Sequence, residues 1–61
     1  MISRDQITGA IRLLNATQTK GRKDALAKML AADGYVDADV AKILTDLDSY
    51  PDWAAHKELD A

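Results

Sequence analysis

The chain has 61 residues, of which 48% are hydrophobic and 30% charged, and its net charge is −2. This length allows a single helical domain spanning residues 1–61, and the composition is globular rather than disordered. Cysteine is absent and histidine occurs once, which excludes disulfides, thiolate metal sites and clusters of imidazole ligands. The stability of so small a domain must come from helix packing or from a partner chain.

The hydropathy of the chain gives no sign of a membrane segment. Its longest apolar runs are only a few residues, far short of the roughly 20 that a spanning helix needs. The N-terminal residues also lack the apolar run of a secretory signal. We therefore expect a cytoplasmic protein with no membrane contact.

Charge is divided unevenly along the sequence. Residues 1–30 contain six basic and two acidic side chains, a net charge of +4. Residues 31–61 contain two basic and eight acidic side chains, a net charge of −6. Such polarity favours contact with an oppositely charged protein or with a second copy of the chain.

The first predicted helix begins directly after Ser3. Ser3 and Gln6 have the spacing of a capping box, in which each side chain satisfies a free backbone amide. The apolar periodicity indicates that this helix fades near Asn15. Gly9 lies in its interior, where glycine costs about 1 kcal/mol relative to alanine, and would permit close approach of another helix.

The second predicted helix has an uncertain start and a clear end. Residues 16–20 are predicted to connect it to the first helix, with Thr17 or Thr19 as its cap. Gly34 suits the left-handed position that follows a helix, and Tyr35 is expected to fold back on the last turn. This combination predicts a Schellman ending.

Two further helices are predicted in the acidic half. The third begins with Asp37 as its N-cap and stops near Asp48. Pro51 disfavours helical geometry at Tyr50 and suits a first helical turn itself. A short fourth helix is therefore predicted from Pro51 to about Leu59.

These elements predict an all-α fold, a compact bundle of three main helices plus a short C-terminal fourth helix. Tyr50 and Trp53 are expected to cover its core, and docking of a partner is the alternative role for this aromatic pair. The predicted core consists of the apolar residues that recur at helical spacing: Ile7, Ile11, Leu14, Leu26, Leu30, Val40, Ile43, Leu44 and Leu47.

A basic turn, Lys20–Lys23, precedes the second helix. Free amides at a helix N-terminus bind anions, and neighbouring cations would strengthen that attraction. The turn lacks the glycine and lysine spacing of a nucleotide-binding loop. It is therefore either a site for phosphate or an acidic partner, or a solvated basic turn.

The second and third helices resemble a helix-turn-helix around Gly34. DNA phosphates would repel the third helix, however, since it carries Asp37, Asp39 and Asp46 against the single Lys42. Any two packed helices give a similar pattern, so nucleic-acid binding through this pair is the less favoured interpretation.

No pattern indicates catalysis or a metal site. His56 shares a helical face with Asp52 and Asp60, but this spacing is more simply that of a helix-stabilising pair, and a single histidine without an orienting network is weak evidence for acid–base chemistry. Residues 33–39 share a glycine and aspartates with a calcium-binding loop, but three ligand positions of such a loop fall on Met29, Ala31 and Val40. We expect no enzymatic activity, no cofactor and no bound metal.

The sequence thus predicts a small, non-enzymatic protein-binding accessory or regulatory module that acts through surface contacts. Its partner would be another protein or a second copy of the chain. Two alternatives remain: a nucleic-acid-binding protein that uses the basic turn or the helix-turn-helix-like pair, and a structural subunit of a larger assembly. The candidate contact residues are Arg12, Lys20, Arg22, Lys23, Tyr50 and Trp53.

Overall fold

The computed structural model describes residues 2–17 and 20–60, except for the side chain of residue 60. The described residues are mostly helical and form no strand, which confirms the all-α fold with three main helices and a short fourth. Two short 3₁₀ helices, Leu47–Ser49 and Lys57–Asp60, flank the fourth α-helix. The α-helices are α1 (Arg4–Thr17), α2 (Arg22–Ala32), α3 (Asp37–Thr45) and α4 (Pro51–Ala54).

The start of α1 shows one of the two side-chain bonds of the predicted capping box, the one accepted by Ser3. The Ser3 carbonyl accepts a hydrogen bond from the Ile7 amide at 3.0 Å. The Ser3 hydroxyl oxygen accepts one from the Gln6 amide at 3.4 Å. At the other end, the hydroxyl of Thr17 donates to the Leu13 carbonyl at 2.9 Å. The helix therefore continues two residues beyond its predicted end.

A glycine, rather than a threonine, precedes α2. Gly21 occupies the N-cap position with φ 66° and ψ 30°, and a glycine has no side chain with which to cap the helix. Of the two predicted caps, Thr17 is the last residue of α1, which makes that prediction wrong, and Thr19 lies outside the described residues. The left-handed conformation explains glycine at this position, since a Cβ is strained there.

The end of α2 is the predicted Schellman motif. Gly34 has φ 95°. The amide of Tyr35 donates to the Leu30 carbonyl at 3.0 Å, and the amide of Gly34 donates to the Ala31 carbonyl at 3.1 Å. These two bonds define the motif, and the half-buried Tyr35 packs against the core as predicted.

Replacing Gly34 with alanine is expected to lower the free energy of unfolding by about 1–2 kcal/mol, because a Cβ is strained in left-handed backbone. Open space surrounds Gly34, so the loss comes from the backbone alone. Urea unfolding followed by Trp53 fluorescence measures the change. Gly9→Ala is the matched control, since Gly9 lacks a positive φ and alanine there should add about 0.5–1 kcal/mol. Equal effects of the two substitutions would contradict the left-handed turn.

The bounds of α3 differ from the prediction at both ends. Val36, with φ −74° and ψ 158°, is the N-cap, and Asp37 is the first helical residue. An acidic residue suits the first turn as well as the cap, so the sequence does not distinguish the two positions. The helix ends at Thr45 because the chain then tightens into the 3₁₀ helix Leu47–Ser49.

The fourth helix is shorter than predicted. Pro51 occupies its first turn as expected, and α4 ends at Ala54. The amide of His56 then donates to the Trp53 carbonyl at 3.2 Å, three residues back rather than four. This tighter spacing turns the chain into the second 3₁₀ helix.

The predicted core is formed around α1 and α2. All of the predicted core residues contribute to it, but Val40 and Leu44 are only half-buried at its edge. Helix α1 packs on α2 and α4, whereas α3 packs on α2 and the first 3₁₀ helix. Tyr50 and Trp53 belong to the core itself, with 2% and 4% of their surfaces exposed. No helix of the described chain is long and apolar enough to cross a membrane.

Candidate interaction surface

The six candidate contact residues lie in different environments. The C-terminal segment, defined here as residues 46–60, folds back onto α1 and α2. Arg12 and Arg22 contact it near Trp53, whereas Tyr50 lies beside α1 and Arg4. The structure therefore brings Arg12, Arg22 and Trp53 close together and leaves Tyr50 in a separate cluster.

Arg22 is a core residue rather than a surface cation. None of its surface is exposed. Its guanidinium carbon lies 3.8 Å from the centroid of the Trp53 ring. One guanidinium nitrogen donates to the side-chain oxygen of Asn15 at 2.6 Å, and the other lies 3.5 Å from the Trp53 carbonyl oxygen. The expectation that Arg22 offers its charge to a partner is therefore corrected, because the side chain joins α2 to α4.

Hydrogen bonds continue from Arg22 to the surface. The side-chain amide of Asn15 donates to the Asp52 backbone carbonyl at 3.0 Å. Arg12 Nε donates to the Asp52 carboxylate at 3.1 Å. Because 70% of the Arg12 side chain is exposed, we expect this ion pair to contribute no more than about 1 kcal/mol.

Arg4 forms a similar arrangement around Tyr50. Its guanidinium carbon lies 4.2 Å from the centroid of the Tyr50 ring. Its nitrogens donate to the Ser49 hydroxyl at 3.3 Å and the Ser49 carbonyl at 3.1 Å. The Asp46 carboxylate lies 3.9 Å away. No local pattern in the sequence marks this role of Arg4, since 45 residues separate it from Ser49.

These contacts change the interpretation of the charge division. The basic N-terminal half and the acidic C-terminal half meet within the molecule, where Arg4 faces Asp46 and Arg12 pairs with Asp52. Some of the opposite charges of the two halves therefore pair with each other within one chain and stabilise the fold. The buried rings of Tyr50 and Trp53 also belong to the core, so the docking role considered for this pair is not available to their ring faces.

A groove of about 590 Å³ opens beside the Arg22–Trp53 stack. The first turn of α2 forms one wall, with Lys23 and Asp24 exposed there. The two 3₁₀ helices form the other wall, where Lys57 Nζ lies 3.0 Å from the Asp48 carboxylate. We call this opening the Trp53 groove, and it is lined by Gly21, Arg22, Lys23, Asp24, Asp48, Trp53 and Lys57.

Acidic and basic residues outside the groove are dispersed. Within the described chain, no three His, Cys, Asp or Glu side chains come together as metal ligands would. His56 Nδ1 lies 3.6 Å from the Glu58 carboxylate at the surface. Lys20 is exposed two residues before α2, while α3 exposes Asp37 as well as Lys42. The helix-turn-helix-like pair thus keeps its acidic character.

Comparison of the chain with protein-family models, with curated proteins and with solved structures gives no match. The function must therefore be inferred from the chain's own side chains. The features that the fold alone does not explain are the Trp53 groove and the exposed apolar residues Leu13 and Val36.

Proposed function

We propose that the chain is a small, non-enzymatic protein-binding module, accessory or regulatory in role, and that the Trp53 groove receives a short segment of its partner. The observation that carries this proposal is the groove itself. Its volume of about 590 Å³ lies in the range of ligand-binding clefts. Its floor is held by the Arg22–Trp53 stack, so the partner meets a preformed surface at little cost in ordering.

The walls of the groove favour a segment that combines an acidic side chain with an apolar one. The exposed Lys23 and the buried Arg22 together outweigh the exposed Asp24 in the first turn of α2, and the helix N-terminus adds its own positive potential, so the net potential of this wall is positive. Asp48 and Lys57 neutralise each other across 3.0 Å on the opposite wall. Trp53 lines the floor, where the 4% of its surface that is exposed offers a small apolar edge.

A peptide selection tests the proposal directly. Random displayed peptides are selected on the immobilised protein, and those enriched are titrated while Trp53 fluorescence is recorded, since Trp53 is the single tryptophan. Lys23→Glu is expected to weaken binding of the selected peptides about tenfold, because it reverses the charge at the groove. Higher salt is expected to weaken binding as well.

The control for this experiment is Lys28→Glu, which makes the same charge change on α2 outside the groove. It is expected to leave peptide affinity within about twofold of the wild type, since exposed charges at a distance are screened. Selection of no peptide above background would contradict the proposal. Equal losses for the two variants would contradict it too.

Nucleic-acid binding has less support. Arg22 is buried and cannot contact a phosphate, and the Asp52 carboxylate offsets part of the charge of the exposed Arg12. The role of structural subunit and the cytoplasmic location remain predictions from the sequence.

A further inference from the structure

The outward face of α1 is not explained by the fold of a single chain. The inward face buries Ile7, Ile11 and Leu14. On the opposite side, Gly9 is exposed, and no atom from elsewhere in the described chain lies within 4 Å of the place its Cβ would take. Leu13 is 56% exposed on the same side. Within the part of the chain that the structure describes, nothing therefore requires a glycine at this position or covers the leucine.

Opposite charges flank Gly9 on this face. At 100° per residue, Asp5 and Arg12 both lie within about 60° of Gly9 around the helix axis. Asp5 precedes the glycine by four residues, and Arg12 follows it by three. When a second α1 runs antiparallel with the two glycines facing each other, Asp5 of each chain comes beside Arg12 of the other.

Arg12 remains able to make such a contact. Its Nε is bonded to Asp52, but 70% of its side chain is exposed. A guanidinium has five N–H donors, so a second carboxylate can be accepted without breaking the bond to Asp52. The outward face is therefore complementary in charge to a copy of itself.

We propose that two copies of the chain associate through this face, with α1 antiparallel to α1. Gly9 lets the two backbones approach closely, Leu13 becomes covered, and the paired charges set the direction of the helices. The surface consists of Asp5, Gly9, Arg12, Leu13 and Ala16. None of these residues lines the Trp53 groove. A test of dimerisation and a test of peptide binding in the groove can therefore fail independently of each other.

The small area of the outward face of α1 limits the affinity of one copy of the chain for another. Helix α1 has 14 residues, a length of about 21 Å at 1.5 Å per residue. One helix pair of this length buries less than the roughly 1,200 Å² of a stable complex. We therefore expect a reversible dimer with a dissociation constant weaker than about 1 µM.

Sedimentation equilibrium of the full chain from about 10 µM to 1 mM tests the inference. Gly9→Ala is expected to weaken dimerisation about tenfold, because a methyl group separates the helices. The same substitution is expected to raise the urea midpoint of the dilute monomer, since alanine favours helix. Opposite effects on folding and on association exclude general destabilisation as the cause. A chain that is monomeric at 1 mM would overturn the proposal, as would undiminished dimerisation of Gly9→Ala.

A charge swap tests the orientation of the two helices. Asp5→Arg and Arg12→Asp, each alone, are expected to weaken dimerisation at least about fivefold, because like charges then face each other. The double variant is expected to recover most of the wild-type affinity, since opposite charges face each other again. A dimer that forms unchanged in both single variants would assign the contact to another surface.

Discussion

Replacing Trp53 with alanine is expected to lower the free energy of unfolding by about 3–5 kcal/mol, a cost typical of removing a large buried aromatic side chain. Only 4% of Trp53 is exposed, and the Arg22 guanidinium rests on its ring at 3.8 Å. The loss approaches the whole stability of a domain this small, so the variant should be largely unfolded at 25 °C. Far-UV circular dichroism measures the remaining helix without requiring the tryptophan.

The control for Trp53→Ala is Val36→Ala, which also truncates an apolar side chain, but one that is 61% exposed. It is expected to change the stability by less than about 0.5 kcal/mol. A Trp53→Ala chain that melts with the same midpoint as Val36→Ala would contradict the placement of Trp53 in the core.

Replacing Arg22 with alanine is expected to cost about 3 kcal/mol. The substitution removes a cation–π contact worth about 2 kcal/mol when desolvated. It also leaves the side-chain oxygen of the half-buried Asn15 without the donor now 2.6 Å away, at a cost toward the lower end of the roughly 1–3 kcal/mol of a fully buried unpaired acceptor. The variant no longer buries a charged guanidinium, so it avoids the desolvation cost of that charge, which offsets part of the lost stability. Urea unfolding followed by Trp53 fluorescence measures the loss.

Two companion variants make the Arg22 prediction specific. Arg22→Lys keeps the charge but not the planar group that stacks on Trp53, so we expect an intermediate loss of about 1–2 kcal/mol. Arg12→Ala removes an exposed arginine from the same network and is expected to cost less than about 1 kcal/mol. Equal losses for Arg22→Ala and Arg12→Ala would contradict the burial of Arg22.

The bounds of the helices could largely be predicted because their signals are local. Ser3, Gly34 and Pro51 each act on the backbone within a few residues, and each performs its predicted role in the structure. The errors in the predicted helix bounds also come from local features of the chain. Asp37 is chemically suited to both the cap and the first turn. The change from α4 to a 3₁₀ helix after Ala54 is a small difference in hydrogen-bond spacing that no residue type marks.

The candidate site was less accessible to sequence reasoning because it depends on contacts between distant residues. Arginine in a basic turn is ordinarily exposed. Arg22 is buried instead because Trp53, 31 residues later in the chain, covers it. Lys23 was identified from the basic turn, but Asp48 and Lys57 were not, since the groove exists only once the C-terminal segment folds against α2.

The most direct test of the central claim, that the Trp53 groove binds a partner segment, is an NMR titration of the ¹⁵N-labelled chain with the tightest-binding selected peptide. We expect the largest shift changes at the Trp53 indole and at the amides of Gly21, Lys23 and Lys57, and we expect them to be lost in Lys23→Glu. Shift changes confined to other surfaces, or retained in that variant, would contradict the claim.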